Sequence, residues 1–288
     1  MCAGVRKHKG ETMGECIYCG KPAGFLRKMH KACKQKNEEG KSSIVSLVSK
    51  LGSEGGDLAD LENSIREIAS TSFVSDETLK SLIASGWEKA VDIAFDDGLL
   101  SENEESSLTA LQDHFTLPQQ TLDKNGSFSK VVKGAVLRDI MNGNLPQRME
   151  IDGNLPFNLQ KTEKIVWVFQ NVNYYEQKTR TKYVGGSQGV SIRIAKGVYY
   201  RTGAFKGERV QTSETVHADT GLLGVTNKHI YFSGPRKSFR IAYNKIVSFE
   251  PYSNGIGVQR DAQAAKPQSF QTDDGWFTYN LITNLAQV

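Results

Sequence analysis

The chain has 288 residues, 38% hydrophobic and 24% charged, with a net charge of +4. That length predicts about two domains of roughly 150 residues each, and the balance excludes a wholly disordered chain. No run of about 18 apolar residues suggests a membrane span. The start, Met1-Cys2-Ala3-Gly4-Val5-Arg6-Lys7, has no apolar signal core, so a cytoplasmic location is expected.

The net charge hides an asymmetry. Residues 1–41 hold ten Lys/Arg against four Asp/Glu, residues 42–125 five against sixteen, and residues 126–288 twenty-one against twelve. Basic ends therefore flank an acidic middle. A basic zone suits phosphate or anionic lipid, and equally the acidic middle of the same or a neighbouring chain.

The cysteines stand at 2, 16, 19 and 33. Such clustering in a reducing compartment points to metal rather than to a disulfide framework. Cys16-Ile17-Tyr18-Cys19 and His30-Lys31-Ala32-Cys33 form a C-x2-C, ten residues, H-x2-C pattern. It offers the four S and N donors that tetrahedral Zn²⁺ takes, and the alternative is free thiols beside an incidental histidine. Ala23 to Lys28 reads as a short hairpin, and His30 and Cys33 as ligands on one helical turn. Knuckle, hairpin and helix resemble a treble-clef zinc finger over residues 14–40. With four protein ligands such a site is closed, hence structural. Cys2 reads as a free thiol. Lys28, Lys31 and Lys34, with Lys21, Arg27 and Lys36, suit nucleic acid, as do Tyr18 and Phe25 as stacking faces; a solvated basic surface on a protein-docking knuckle is the other reading.

Gly40 to Ser43 reads as a joint that ends a first domain, 1–40, and opens a helical one, 41–145. Ile44 to Leu51 carries a short apolar stripe, broken at Gly52 to Gly56. Asp57 caps a helix with Leu58, Leu61, Ile65 and Ile68 on one face. Ser75 or Asp76 caps the strongest helix, from Leu79 to Phe95, and Ser101-Glu102-Asn103-Glu104 is a capping box for the next. Phe128 to Met141 marks a further helix. The turn Asp96-Asp97-Gly98 fails as an EF-hand, because Ile93 and Phe95 would fall on ligand positions. The helix–Asp-Asp-Gly–helix pattern resembles the tellurite-resistance TerB-like helical domain. That resemblance implies a link to stress or phage-conflict systems and leaves Asp96 and Asp97 as candidates for a second metal contact, against a plain solvated acidic face.

Residues 146–160, bracketed by Pro146 and Pro156, read as a linker. From Lys164 the apolar period becomes two, and runs such as Ile165 to Phe169, Gly221 to Thr226 and Lys228 to Phe232 read as strands. Asn254-Gly255 is a hairpin turn. Trp276 to Leu285 reads as a terminal helix with Phe277, Leu281 and Leu285 inward. About seven strands closed by a helix over 161–288 resemble the pleckstrin-homology superfold, and Leu222 to Phe249 resembles its GRAM-like branch. The fold class expected is thus α+β and multidomain: a small zinc finger, a helical middle and a PH-like β-barrel or sandwich with a terminal helix. The resemblance implies a binding platform. Arg236, Lys237 and Arg240 become candidate contacts for a phosphate or lipid headgroup, as do the alternating Lys178, Arg180 and Lys182, unless they are ordinary solvated strand residues.

No phosphate-cradling, nucleophile-elbow or zincin motif occurs, and Gly185 to Gly189 reads as a glycine turn. His217 and Asp219, two apart, are the best pair for acid–base chemistry, with no nucleophile assigned beside them. The sequence predicts a non-enzymatic adaptor or sensor that docks a protein partner, with nucleic acid or an anionic membrane as alternatives and no small-molecule substrate.

Overall fold

A computed structural model describes residues 14–24, 27–149, 154–184, 190–195, 198–202, 208–262 and 265–287, and between 179 and 212 the backbone alone. Among the described residues the fold is mixed α+β, with a small N-terminal cysteine cluster, seven helices and a curled antiparallel sheet. It divides into two compact units, Met1–Arg138 and Asp139–Val288. Cys2, Phe25 and the glycine turn at 185–189 lie outside the described residues, as do the side chains of Arg180 and Lys182.

The first unit opens with β1 (Gly14–Glu15) paired to β2 (Pro22–Gly24). This pair flanks the C-x2-C turn, and the middle of the hairpin expected over 23–28, residues 25 and 26, lies outside the described residues. Then α1 (Lys31–Glu54) runs 24 residues without interruption, a rod of about 36 Å. The joint expected at Gly40–Ser43 therefore does not exist. Gly40 is buried because the turn at Ser72 lies against it: a Cβ there would stand 2.3 Å from the Cβ of Ser72. A small residue in a Gly-Ser run signals close packing here, and not a break.

Helices α2 (Leu58–Thr71), α3 (Asp76–Ala94), α4 (Glu102–His114), α5 (Gln119–Leu122) and α6 (Ser127–Met141) complete the bundle. Their starts follow the sequence. Asp57 accepts from the N–H groups of Ala59 and Asp60, Ser75 from Thr78, and Ser101 with Glu104 forms a reciprocal box. Each satisfies otherwise orphaned helix N–H groups. Ile44, Val48, Ile65, Ile83, Trp87, Leu108 and Leu111 form the core. Trp87 is buried, and its indole N–H donates to the Leu108 carbonyl at 2.9 Å. The α1–α3 contact uses small residues, with Gly86 against Val48 and Gly52 against Ala90.

The second unit holds one seven-stranded antiparallel sheet that curls into a half-barrel. Its strands are β3 (Ile165–Val184), β6 (Glu208–Thr226), β7 (His229–Ser233), β8 (Ser238–Ala242), β9 (Ile246–Tyr252), β10 (Gly255–Arg260) and β11 (Gln268–Gln271). The order is β8-β7-β6-β3-β11-β10-β9, and β4 (Val190–Ala195) pairs separately with β5 (Val198–Thr202). Two of the expected short strands are instead parts of β3 and β6, which form one long hairpin. Phe169, Val172, Tyr174, Leu223, Phe232, Val258 and Phe270 are buried, together with Phe277, Leu281 and Leu285 of α7 (Gly275–Leu285). The expected linker is partly packed structure: the Phe157 ring lies 5.5 Å from that of Tyr231. It also lies where a side chain at Gly224 would stand.

Candidate metal centre

Cys16, Cys19, His30 and Cys33 come together, their ligand atoms all within 4.8 Å of one another. The C-x2-C segment turns tightly. The Gly20 N–H reaches the Cys16 carbonyl at 2.8 Å, the Cys16 N–H reaches the Lys21 carbonyl at 2.8 Å, and Gly20 takes a φ of 67°, which glycine tolerates without strain. His30 stands one step outside the expected helical turn. It is the N-cap of α1, in extended conformation, while Cys33 lies in the first turn.

The histidine is oriented for ligation. Its Nε2 lies 3.0 Å from the Pro22 carbonyl. A hydrogen on Nε2 fixes the tautomer that leaves Nδ1 as the ligand. Nδ1 lies 3.3 Å from Cys19 Sγ and 3.7 Å from Cys33 Sγ. A tetrahedral zinc with ordinary bond lengths places sulfur and nitrogen about 3.6 Å apart, so the donor set fits that ion.

The electrostatics are compatible with a cation. Burial opposes ionisation of Cys16, but the backbone N–H groups of Cys19, His30 and Tyr18 outweigh it and hold that thiol down at about 6. The His30 N–H donates to Cys16 Sγ at 3.4 Å. Cys33 is pushed up to about 11 by burial and by its sulfur neighbours Cys19 and Cys16. Three thiolates this close would repel one another, and a central dication would remove that repulsion. The N-terminus of α1 adds a favourable dipole beside Cys33.

The cluster is joined to the helices. One turn beyond Cys33, the buried Asn37 side chain donates to the carbonyls of Ser72 at 2.8 Å and Phe73 at 3.1 Å. The Tyr18 ring, inside the C-x2-C turn, lies 6.1 Å from the Phe73 ring. Lys28, Lys31 and Lys34 are exposed around this end.

The remaining expected site residues stand away from this cluster. The Asp97 carboxylate accepts from the Leu99 N–H at 3.0 Å, and Asp96 is exposed; among the described residues no second metal-binding cluster forms. His217 and Asp219 do not meet. A bulge at Ala218 pairs His217 with Tyr175 but Asp219 with Tyr174. Since successive β3 residues face opposite ways, the two side chains lie on opposite faces. His217 instead contacts Thr220 Oγ1 at 3.0 Å.

Asp219 holds the hairpin that carries Arg236 and Lys237. Its Oδ2 accepts from both of their backbone N–H groups at 2.7 Å, and its Oδ1 from the Thr220 N–H at 3.0 Å. Burial alone would raise this carboxyl; the N–H groups of Arg236, Lys237 and Thr220 keep it below its ordinary value. The Lys237 ammonium lies 3.4 Å from Glu176, and Arg240 is exposed on β8.

The sequence analysis missed a buried network. Glu163 accepts from the Tyr231 hydroxyl at 2.7 Å, from the Thr226 hydroxyl and from the Gln160 N–H at 3.0 Å, and contacts His229 Nδ1 at 2.8 Å. Thr226, His229 and Tyr231 lie over 60 residues away, and no local signal marks them.

Compared with known proteins, the chain matches no family model, no curated protein and no solved structure. No helix among the described residues is long and apolar enough to cross a membrane.

Proposed function

We propose that this chain is a zinc-structured, non-enzymatic docking protein, an adaptor or sensor that holds a protein partner within a larger assembly, of the kind found in stress or phage-conflict systems. The observation that carries the reading is the closed Cys3His quartet built onto the end of α1. Four protein donors leave zinc no open position for a substrate, which favours a structural role. The metal fixes the knuckle, and the knuckle presents exposed lysines and Ile17, which is 66% exposed. The treble-clef resemblance draws on the same quartet, the TerB-like one on the capped helices around Asp96-Asp97-Gly98. The strand order with α7 supports the PH-like resemblance.

Elemental analysis of the purified full chain tests the metal: one zinc per chain is expected, and none in Cys16→Ser/Cys33→Ser. Affinity capture from the native host then compares the zinc-loaded chain with that variant. A protein retained by the first and lost by the second supports the reading; equal retention, or a chain without zinc, overturns it.

Direct nucleic-acid binding is a second reading, favoured by the exposure of Lys28, Lys31 and Lys34. It predicts affinity for a single-stranded oligonucleotide that falls steeply with salt and is abolished by reversing those three charges. Association with anionic membranes through Arg236, Lys237 and Arg240 is weakened, because Asp219 and Glu176 already engage the first two.

A further inference from the structure

Helices α1 and α3 run in the same direction, with Gly86 against Val48 and Gly52 against Ala90. The first unit therefore has two distinct ends, separated by the 19 residues of α3, about 28 Å. At one end the knuckle rests on the turn that follows α2. At the other, α3 gives way to the Asp96–Leu99 turn. The charges divide in the same way. Residues 21–36 hold six Lys/Arg and no acid, and residues 92–105 hold six Asp/Glu and no Lys/Arg.

Each end also exposes apolar side chains. Among the described residues of the first unit, the large exposed ones are Ile17, Leu47, Phe73, Ile93 and Leu99. Ile17 and Phe73 belong to the basic end, Ile93 and Leu99 to the acidic one. Phe73 is held there against its backbone preference. Its φ of 58°, at a position where helix ends commonly carry glycine, costs a bulky residue energy. The Asn37 amide fixes it by donating to the Phe73 carbonyl at 3.1 Å. At the basic end Lys28, Lys31 and Lys34 are exposed and form no ion pair with a described residue. At the acidic end Lys130 takes Asp92 at 3.1 Å, while Asp96 and Glu102 are exposed and form no such pair.

We infer that the first unit binds a second copy of this chain head to tail, the knuckle end of one copy on the Asp96–Leu99 end of the next. The apolar side chains supply the burial. The opposite charges set the orientation and keep like ends apart. The two ends cannot meet within one copy, because a single helical bundle holds them apart. The contact uses two different surfaces, so every added copy leaves one of each kind free and the assembly grows as a chain. This deepens the docking reading, on whose zinc-fixed knuckle it rests, by naming the partner.

Sedimentation velocity of the zinc-loaded full chain, from micromolar to submillimolar concentration, tests it. Species larger than a monomer are expected to grow with concentration and to fall back toward monomer as salt rises. Lys28→Glu/Lys31→Glu/Lys34→Glu and Asp96→Lys/Glu102→Lys should each weaken self-association about tenfold or more. An equimolar mixture of the two variants restores assembly, because each brings the end that the other lacks. Phe73→Gly, which removes the ring and suits the same φ, weakens it at unchanged charge. One zinc per chain and an unchanged melting temperature in both charge variants separate a lost contact from a lost fold. A zinc-loaded chain that stays monomeric throughout overturns the inference and leaves the docking reading standing. Assembly that neither charge variant weakens, or a mixture that stays apart, does the same. A chain without zinc overturns both.

Discussion

Glu163 shows how one side chain can hold a segment in place. Four groups converge on its carboxylate, from Gln160, Thr226, His229 and Tyr231. Burial would raise this carboxyl, but the hydrogen bonds from Thr226, Gln160, Tyr231 and His229 prevail and hold it below its ordinary value of 4.5. The sign follows from linkage. A carboxyl depressed in the folded state adds stability above pH 4.5, and that contribution is lost as pH falls through the lower folded value. Urea titrations from pH 6 down to pH 3 should therefore show the second unit weakening on the acid side. Glu163→Gln, which does not titrate, flattens that dependence. Glu163→Ala leaves buried hydroxyls unpaired and should cost about 1–3 kcal/mol at neutral pH, read as a lower urea midpoint with unchanged slope.

Among the elements, what could be read from the sequence was local. Asp57, Ser75 and the Ser101–Glu104 box start their helices as expected, because a cap needs only residues two or three apart. The ligand quartet was legible for the same reason. Phe277, Leu281 and Leu285 face inward on α7 as their spacing implies. What escaped depends on contacts distant in sequence. Gly40 reads as a break until Ser72 is seen against it. His217 and Asp219 read as a pair until the bulge at Ala218 turns them apart. The stretch from Phe157 to Gln160 reads as linker until Tyr231 packs on it. The α1–α3 crossing gives a test at this scale. A Cβ at Gly86 would stand 2.6 Å from the Val48 Cβ, so Gly86→Ala must push the helices apart. A loss of about 1–3 kcal/mol is expected, measured by denaturant unfolding, although alanine is the better intrinsic helix former.

At the scale of the whole chain, two compact units predict two unfolding events. Calorimetry should resolve them. Glu163→Ala should move only the event belonging to Asp139–Val288, and Gly86→Ala only the other. Metal removal should act on the first unit alone. Hydrogen exchange in the presence of a strong chelator should deprotect the described residues from 14 to 30 and the first turns of α1, because so little chain folds without the ion. Residues around Trp87 should stay protected, since the helical core has its own buried surface. The uninterrupted α1 has one more consequence. A ligand, Cys33, and a core residue, Ile44, ride on the same rod. Each residue of an α-helix advances the direction of a side chain by about 100°. Adding or deleting a single residue between those two would swing the sulfur to another side of the rod while the core stayed seated. The distance between them is therefore locked in count as well as in length: substitutions within it are tolerable, and a one-residue change in spacing is not.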